Sequence, residues 1–317
     1  MKSGILQIKN TQMKLLSIFI GIFCFFACCT TKVNTTMTDY QKAKEIQEKI
    51  ERGDLMIAIL NINKVDEMID LFTRSGDSGN AGGWYELGMI YYKGIGVDQD
   101  AEKAVSYFKL AAESEYGIDA WIKYIRIAYF ANLTSIPTND IIGLVRKLEK
   151  EDPSGELYLL KGYMLYQGYA YKENPEASLL AHQESANKGN ADAMFELCIY
   201  YTQGIGAEQD VQKALDWCIR AAENNNTRAI YNLGAYYARG YETIPKDTNK
   251  AIEYYTKAAN LGHGKAAGQL AAMYIMGEEV DKDEEKAKMF YKLAFENDFD
   301  IDIFFENLGL EELNLDD

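Results

Sequence analysis

Apolar residues recur along this chain three and four apart, and the blocks they form recur in turn. Between Trp84 and Ser114, Leu87 and Tyr91 fall at i and i+4 on one face. A Gly-Ile-Gly turn follows at 94–96, and then Ala104, Tyr107, Phe108 and Ala111 make a second stripe. The spacing predicts two helices, A and B, folded back on one another. The turn glycine repeats at Gly94, Gly168, Gly204, Gly240 and Gly277, at intervals of 74, 36, 36 and 37. An alanine near the start of helix B repeats at Ala104, Ala177, Ala214, Ala251 and Ala287, at intervals of 73, 37, 37 and 36. Two anchors with one period predict an array of hairpins, with a degenerate copy at 118–154 and a shortened turn in the copy at 155–190. Asp100, Asp210, Asp247 and Asp283 stand where an N-cap belongs, and Asn174-Pro175 supplies a cap followed by proline at the first helical position. Gly88 lets a neighbouring helix come close, at a cost of about 1 kcal/mol in helix propensity.

The strings LGMIYYKGIGVDQDAEKAVSYFKLAAE, LCIYYTQGIGAEQDVQKALDWCIRAAE and LGAYYARGYETIPKDTNKAIEYYTKAAN resemble the Sel-one-like repeat (SLR) family of the tetratricopeptide (TPR) superfamily. LAAMYIMGEEVDKDEEKAKMFYKLAFE is a looser copy, and the likeness covers residues 83–299. It implies an all-α fold, a right-handed α-solenoid of about six antiparallel helix pairs. It further implies a protein–protein interaction scaffold and not an enzyme. In such arrays helix A lines the concave face. Carried onto this chain, its outward positions are Tyr85, Met89, Tyr92, Leu159, Tyr163, Tyr166, Phe195, Ile199 and Tyr231, with charge from Arg239 and Lys265. Tyr and Met there suit recognition of a protein or peptide. The same stripe is equally what a tight superhelix buries between copies.

The ends of the chain carry a different message. Lys14 precedes an apolar run from Leu15 to Ala27, too short for a membrane-spanning helix of about 20 residues but suited to an export signal. Met13 and Met1 are both possible starts. Ala27-Cys28 is similar to the bacterial lipoprotein signal, which implies lipid attachment at Cys28 and placement in the cell envelope; Phe25 and Phe26 depart from that pattern. An uncleaved anchor and ordinary secretion are the alternatives. Residues 1–27 thus read as signal, the Thr-rich 28–38 as tether, and 39–82 as a helical N-terminal cap ending in a flexible break at 75–83. Val65, Met68, Ile69 and Phe72 form a stripe in that cap, and Asp54 is placed to start a helix. Ile301, Phe304, Phe305 and Leu308 predict a final capping helix within 300–317, followed by an acidic tail.

Charge narrows the partners. The formal charge is −15, and it becomes −18 without residues 1–27, which hold Lys2, Lys9 and Lys14 and no acid. That opposes nucleic acid and direct adhesion to anionic headgroups, leaving the lipid anchor as the membrane contact. Cys198 takes the close-packing glycine's place on helix A and Cys218 lies opposite on helix B, so they form either a disulfide or two buried thiols. His182 and His263 fall near the ends of B helices and lack further ligands at metal spacing, so neither metal nor cofactor is expected. Gly76-Asp77-Ser78-Gly79 resembles a serine-nucleophile motif but sits in a linker, upstream of both histidines. An envelope hydrolase or cell-wall ligand-binding protein with a site at a repeat junction is the competing reading. It requires acid and base groups converging in one pocket.

Overall fold

The computed structural model describes residues 37–52, 62–241, 243–277 and 279–310. The signal, Cys28, Asp54 and the acidic tail lie outside them. The chain divides into two compact bodies, Met1–Ser78 and Gly79–Asp317. In the first, α1 (Asp39–Glu51) packs on α2 (Ile62–Asp77). Thr38 opens α1 with a reciprocal capping box to Gln41, and Met68 and Phe72 of α2 are fully buried. Helix α2 runs on to Asp77, so the expected break at 75–83 shrinks to three residues before α3, and Ser75 is buried. Gly76 and Asp77 are helical, which disposes of the nucleophile turn.

The second body is a stack of hairpins. Its helix pairs are α3 (Ala81–Lys93) and α4 (Ala101–Glu113), α5 (Ile118–Phe130) and α6 (Thr138–Leu148), α7 (Glu156–Gln167) and α8 (Pro175–Asn187), α9 (Ala191–Gln203) and α10 (Val211–Glu223), α11 (Thr227–Arg239) and α12 (Thr248–Asn260), and α13 (Gly264–Met276) and α14 (Glu284–Glu296). Helix α15 (Ile301–Asn307) follows, burying Ile301 and Phe305 against the last copy. Each hairpin packs on the next, giving an all-α, right-handed α-solenoid. Among the described residues the one β feature is an isolated bridge between Tyr241 and Ile244.

A local device closes most hairpins. Gly94, Gly168, Gly204 and Gly277 end their A helices in the left-handed conformation that glycine adopts freely. The N-cap Asp100, Asp210, Asp247 or Asp283 then accepts a hydrogen bond from the backbone N–H three residues on, at 2.9–3.0 Å. Its own N–H donates back across the turn to the carbonyl of Tyr91, Tyr201, Tyr237 or Tyr274. The lysine three residues after the cap (Lys103, Lys213, Lys250, Lys286) lies 4.9–5.4 Å over the ring of that tyrosine. One aspartate, one lysine and one tyrosine therefore join both helices and the turn.

Packing across the first and fifth hairpins pairs a small residue on helix A with a large one on helix B. A Cβ on Gly88 would lie 2.9 Å from the Phe108 ring, and one on Gly234 would lie 2.7 Å from Tyr255. Cys198 and Cys218 fill the same two positions, with Cα atoms 5.2 Å apart, and are joined as a disulfide.

The third copy corrects the register. Its N-cap is Asn174, and four residues on stands buried Ser178, not Ala177. Ala177 takes the place of the lysine and is half-exposed. The helix B stripe here is Ser178, His182, Ser185, where the first, fifth and sixth copies have Ala, an aromatic residue, Ala. The turn is also not shortened: Gly168 to Asn174 matches Gly94 to Asp100, and Ala170 adopts a left-handed φ of 61° where Gly96 (72°) and Gly206 (69°) stand elsewhere. His182 sits mid-helix, and His263 is the N-cap of α13, accepting from the Ala266 N–H at 3.2 Å. His182 is therefore away from a helix B end, while His263 lies three residues past the end of α12 and caps the next A helix.

Candidate functional site

Helices α3, α5, α7, α9, α11 and α13 are the A helices, which the expected binding face follows. Of the positions picked out on it, Tyr92 and Tyr166 are 42% exposed. Leu159 and Phe195 are core residues, 2% and 5% exposed, because the neighbouring copy closes over them; they have no surface to offer. Tyr85, Met89, Tyr163, Ile199 and Tyr231 are half-buried. Tyr85 stacks on Tyr116 at 4.2 Å, and burial pushes its hydroxyl up to about 12. Tyr231 stacks on His263 at 4.7 Å. Phe195 lies under the Arg228 guanidinium at 4.5 Å.

Two residues that belong to the face were not picked out. Phe130, at 58%, is more exposed than either tyrosine, and Arg126 sits 5.4 Å from its ring. With Tyr92, Gln99, Ala101, Ile127 and Ala131 they line a cleft of about 500 Å³ between the first and second copies. The degenerate second copy creates it. In the fourth copy Gly206 turns against the Pro175 carbonyl, leaving no room for a Cβ. The loop at 131–137 has no Gly-x-Gly turn to lay over Ala101, the counterpart of Pro175. The Ser135 hydroxyl reaches back to the Glu102 carboxylate at 2.7 and 2.9 Å. Arg126 is held by an ion pair with Glu156 of α7.

Polar groups concentrate where the third and fourth copies meet. The Tyr163 hydroxyl donates to Glu196 at 3.0 Å, and Arg228 lies 3.2 Å from Asp192 and 3.6 Å from Glu196. Burial raises the Glu196 carboxyl above the usual range and carries Tyr163 well above a normal phenol. Ser178 donates to the Gly162 carbonyl at 2.7 Å and lies 2.8 Å from the Tyr200 hydroxyl. His182 is wholly buried, edge-on to Tyr163 and Tyr200, with no hydrogen bond at either ring nitrogen among the described residues. Desolvation lowers its pKa to about 4. Sealed this way it has no route to a substrate, and Glu196 is engaged on both sides. Among the described residues no group of His, Cys, Asp and Glu is arranged to hold a metal ion, and no helix is long and apolar enough to cross a membrane.

Comparison with known proteins agrees with this geometry. Residues 85–116, 191–226, 227–263 and 264–299 match the Sel1 repeat, which are the first, fourth, fifth and sixth hairpins. A Sel1 repeat protein from Oxalobacter formigenes has a similar structure, with a TM-score of 0.58 and 26% identity, covering 78% of this chain and 99% of that one. Chitin synthase regulatory factor 3 of Schizosaccharomyces pombe is 28% identical over 186 residues, covering 56% of this chain and 20% of that protein. The ERAD-associated E3 ubiquitin-protein ligase component HRD3A of Arabidopsis thaliana is 25% identical over 198 residues, covering 57% of this chain and 28% of that protein. The chain thus spans well under half the length of these two relatives. Sel1 repeats mediate protein–protein interaction and are generally non-catalytic. With four matched repeats set in an unbroken stack of hairpins, the chain belongs to the Sel1-like repeat proteins of the TPR-like superfamily.

Proposed function

We propose that this protein is a non-catalytic scaffold of the bacterial cell envelope, held by a lipid on Cys28, which presents its helix-A face to a protein or peptide partner. One observation carries the reading: Tyr92, Phe130 and Tyr166 leave three aromatic rings open to solvent on that face, beside the cleft floored by Ile127 and Ala131. A rigid scaffold that exposes aromatic area binds without ordering cost on its own side. The apolar run ending at Ala27-Cys28 supports the anchor, and the Cys198–Cys218 disulfide fits an oxidising compartment.

Cross-linking and pull-down from native membranes test it. The triple substitution Tyr92→Ala, Phe130→Ala, Tyr166→Ala is expected to remove the captured partner while leaving the helical circular dichroism unchanged. Capture undiminished by the triple variant would reject this face. Mass measurement of the mature N-terminus tests the anchor separately: a chain beginning at an acylated Cys28 is expected, and an unmodified N-terminus elsewhere would rule it out.

A further inference from the structure

One register position on the A helices changes electrical sign along the array, and the change identifies what kind of segment the far end of the helix-A face takes. This inference rests on the reading of the face as a protein-binding surface and names the chemistry of the partner there. Twelve residues before the C-cap stands Gly82 in α3, then Asp119, Glu156 and Asp192 in α5, α7 and α9, and then Arg228 and Lys265 in α11 and α13. Carboxylates in a first turn meet the positive end of the helix dipole favourably. Cations there are unfavourable, by about 0.3–1 kcal/mol each. Asp192 and Glu196 offset Arg228. Lys265 makes no ion pair among the described residues; its ammonium lies 5.6 Å over the Tyr231 ring.

The same two helices have shed their acids altogether. TRAIYNLGAYYAR of α11 and GKAAGQLAAMYIM of α13 contain no Asp or Glu, in a chain of formal charge −15. Between them opens a second cleft, of about 170 Å³, lined by Arg239, Gln269, Met273, Met276, Tyr255 and Glu279. Glu279 is engaged by Lys246 and by Thr248. Arg239 makes no ion pair or hydrogen bond among the described residues, and Met276 is 39% exposed beside it. A free guanidinium next to a flexible thioether matches a carboxylate adjoining an apolar side chain.

We propose that the α11–α13 end of the helix-A face binds an acidic segment of the protein partner. One carboxylate pairs with Arg239, an adjoining apolar side chain lies on Met273 and Met276, and a second carboxylate reaches Lys265. Arg239 and the level of Lys265 are eleven residues apart along the A helices, roughly 17 Å at 1.5 Å per residue. Extended chain covers that in about five residues, which sets the spacing of the two acids.

The test uses the whole protein and a fluorescent peptide carrying two glutamates about five residues apart on either side of leucines. The controls have both glutamates replaced by glutamine or by lysine. Fluorescence polarisation is expected to show binding of the glutamate peptide that weakens as salt rises from about 50 to 300 mM. The glutamine peptide should bind at least about tenfold more weakly, and Arg239→Glu should weaken the glutamate peptide by at least about tenfold. Lys265→Glu should cost about threefold, and Leu180→Ala, at an exposed position of the B helix α8, should change nothing. Equal binding of the glutamine or lysine peptide, no binding of any of them, or an Arg239→Glu variant that binds normally would overturn the proposal. Partner capture from membranes that depends on Tyr92, Phe130 and Tyr166 but not on Arg239 would leave the broader reading standing and end this one.

Discussion

His182 occupies the place that other hairpins give to Phe108 or Tyr255, and it is the least comfortable side chain in the core. A Cβ on Gly162 would lie 2.7 Å from either ring nitrogen, so the glycine backbone rests on the imidazole and leaves no room for a solvating shell. Its pKa is lowered to about 4 by burial, against 6.5 in the unfolded chain. The unfolded state therefore binds a proton that the folded state refuses. The stability tied to neutral His182 is complete above pH 6.5 and declines until about pH 4, by roughly 3 kcal/mol at 1.36 kcal/mol per unit. His182→Phe, which restores the Gly–Phe pairing of the first hairpin, is expected to abolish that part of the dependence. Urea midpoints at pH 7 and pH 4.5, compared between wild type and variant, check it; parallel losses in both would refute the assignment. Ala170 offers a simpler test. An alanine held at φ 61° gives up about 1 kcal/mol that glycine would not, so Ala170→Gly should raise the melting temperature. A lower melting temperature would show that the turn does not need the left-handed residue.

At the scale of the hairpin, the disulfide does what a large ring does elsewhere. Cys198 and Cys218 are 2% and 0% exposed, and the loop they close spans 20 residues. Chain entropy assigns such a loop about 3 kcal/mol. Reductant is expected to lower the free energy of unfolding in urea by about that amount, yet to leave the bond intact in the native state, since no thiol reaches it without opening the hairpin. Rapid reduction under native conditions would contradict this. The hairpin was also the unit most legible in the sequence. Turn glycines and capping aspartates announce it because backbone geometry demands those residues in those places. What escaped had lost its marker. Ala177 passed for the buried alanine because an alanine happened to fill the lysine position, while the true counterpart, Ser178, had turned polar and now bonds Gly162. Phe130 was missed because its copy has no turn glycine from which to count. Leu159 and Phe195 were placed on the face because spacing along one helix is blind to how far the next copy overlaps it.

Across the whole array, cohesion is uneven. The α5–α6 hairpin has neither the capping aspartate nor the lysine over tyrosine, and its second helix opens at Pro137 with no side-chain cap. Helix α6 holds on through Ile141, Val145 and Leu148. In a stack whose units touch only their neighbours, the weakest link opens first. Hydrogen exchange is expected to be fastest, among the helices of Gly79–Asp317, in α6, and slow in α9–α12; uniform protection would argue that the stack melts as one. The aspartate–lysine–tyrosine closure has a further consequence. Since it lies wholly inside one hairpin, a copy carries its own fastening and asks nothing of its neighbours but a complementary flank. Lineages can therefore lengthen or trim such a protein in whole cassettes, resizing the span on offer without redesigning a single joint.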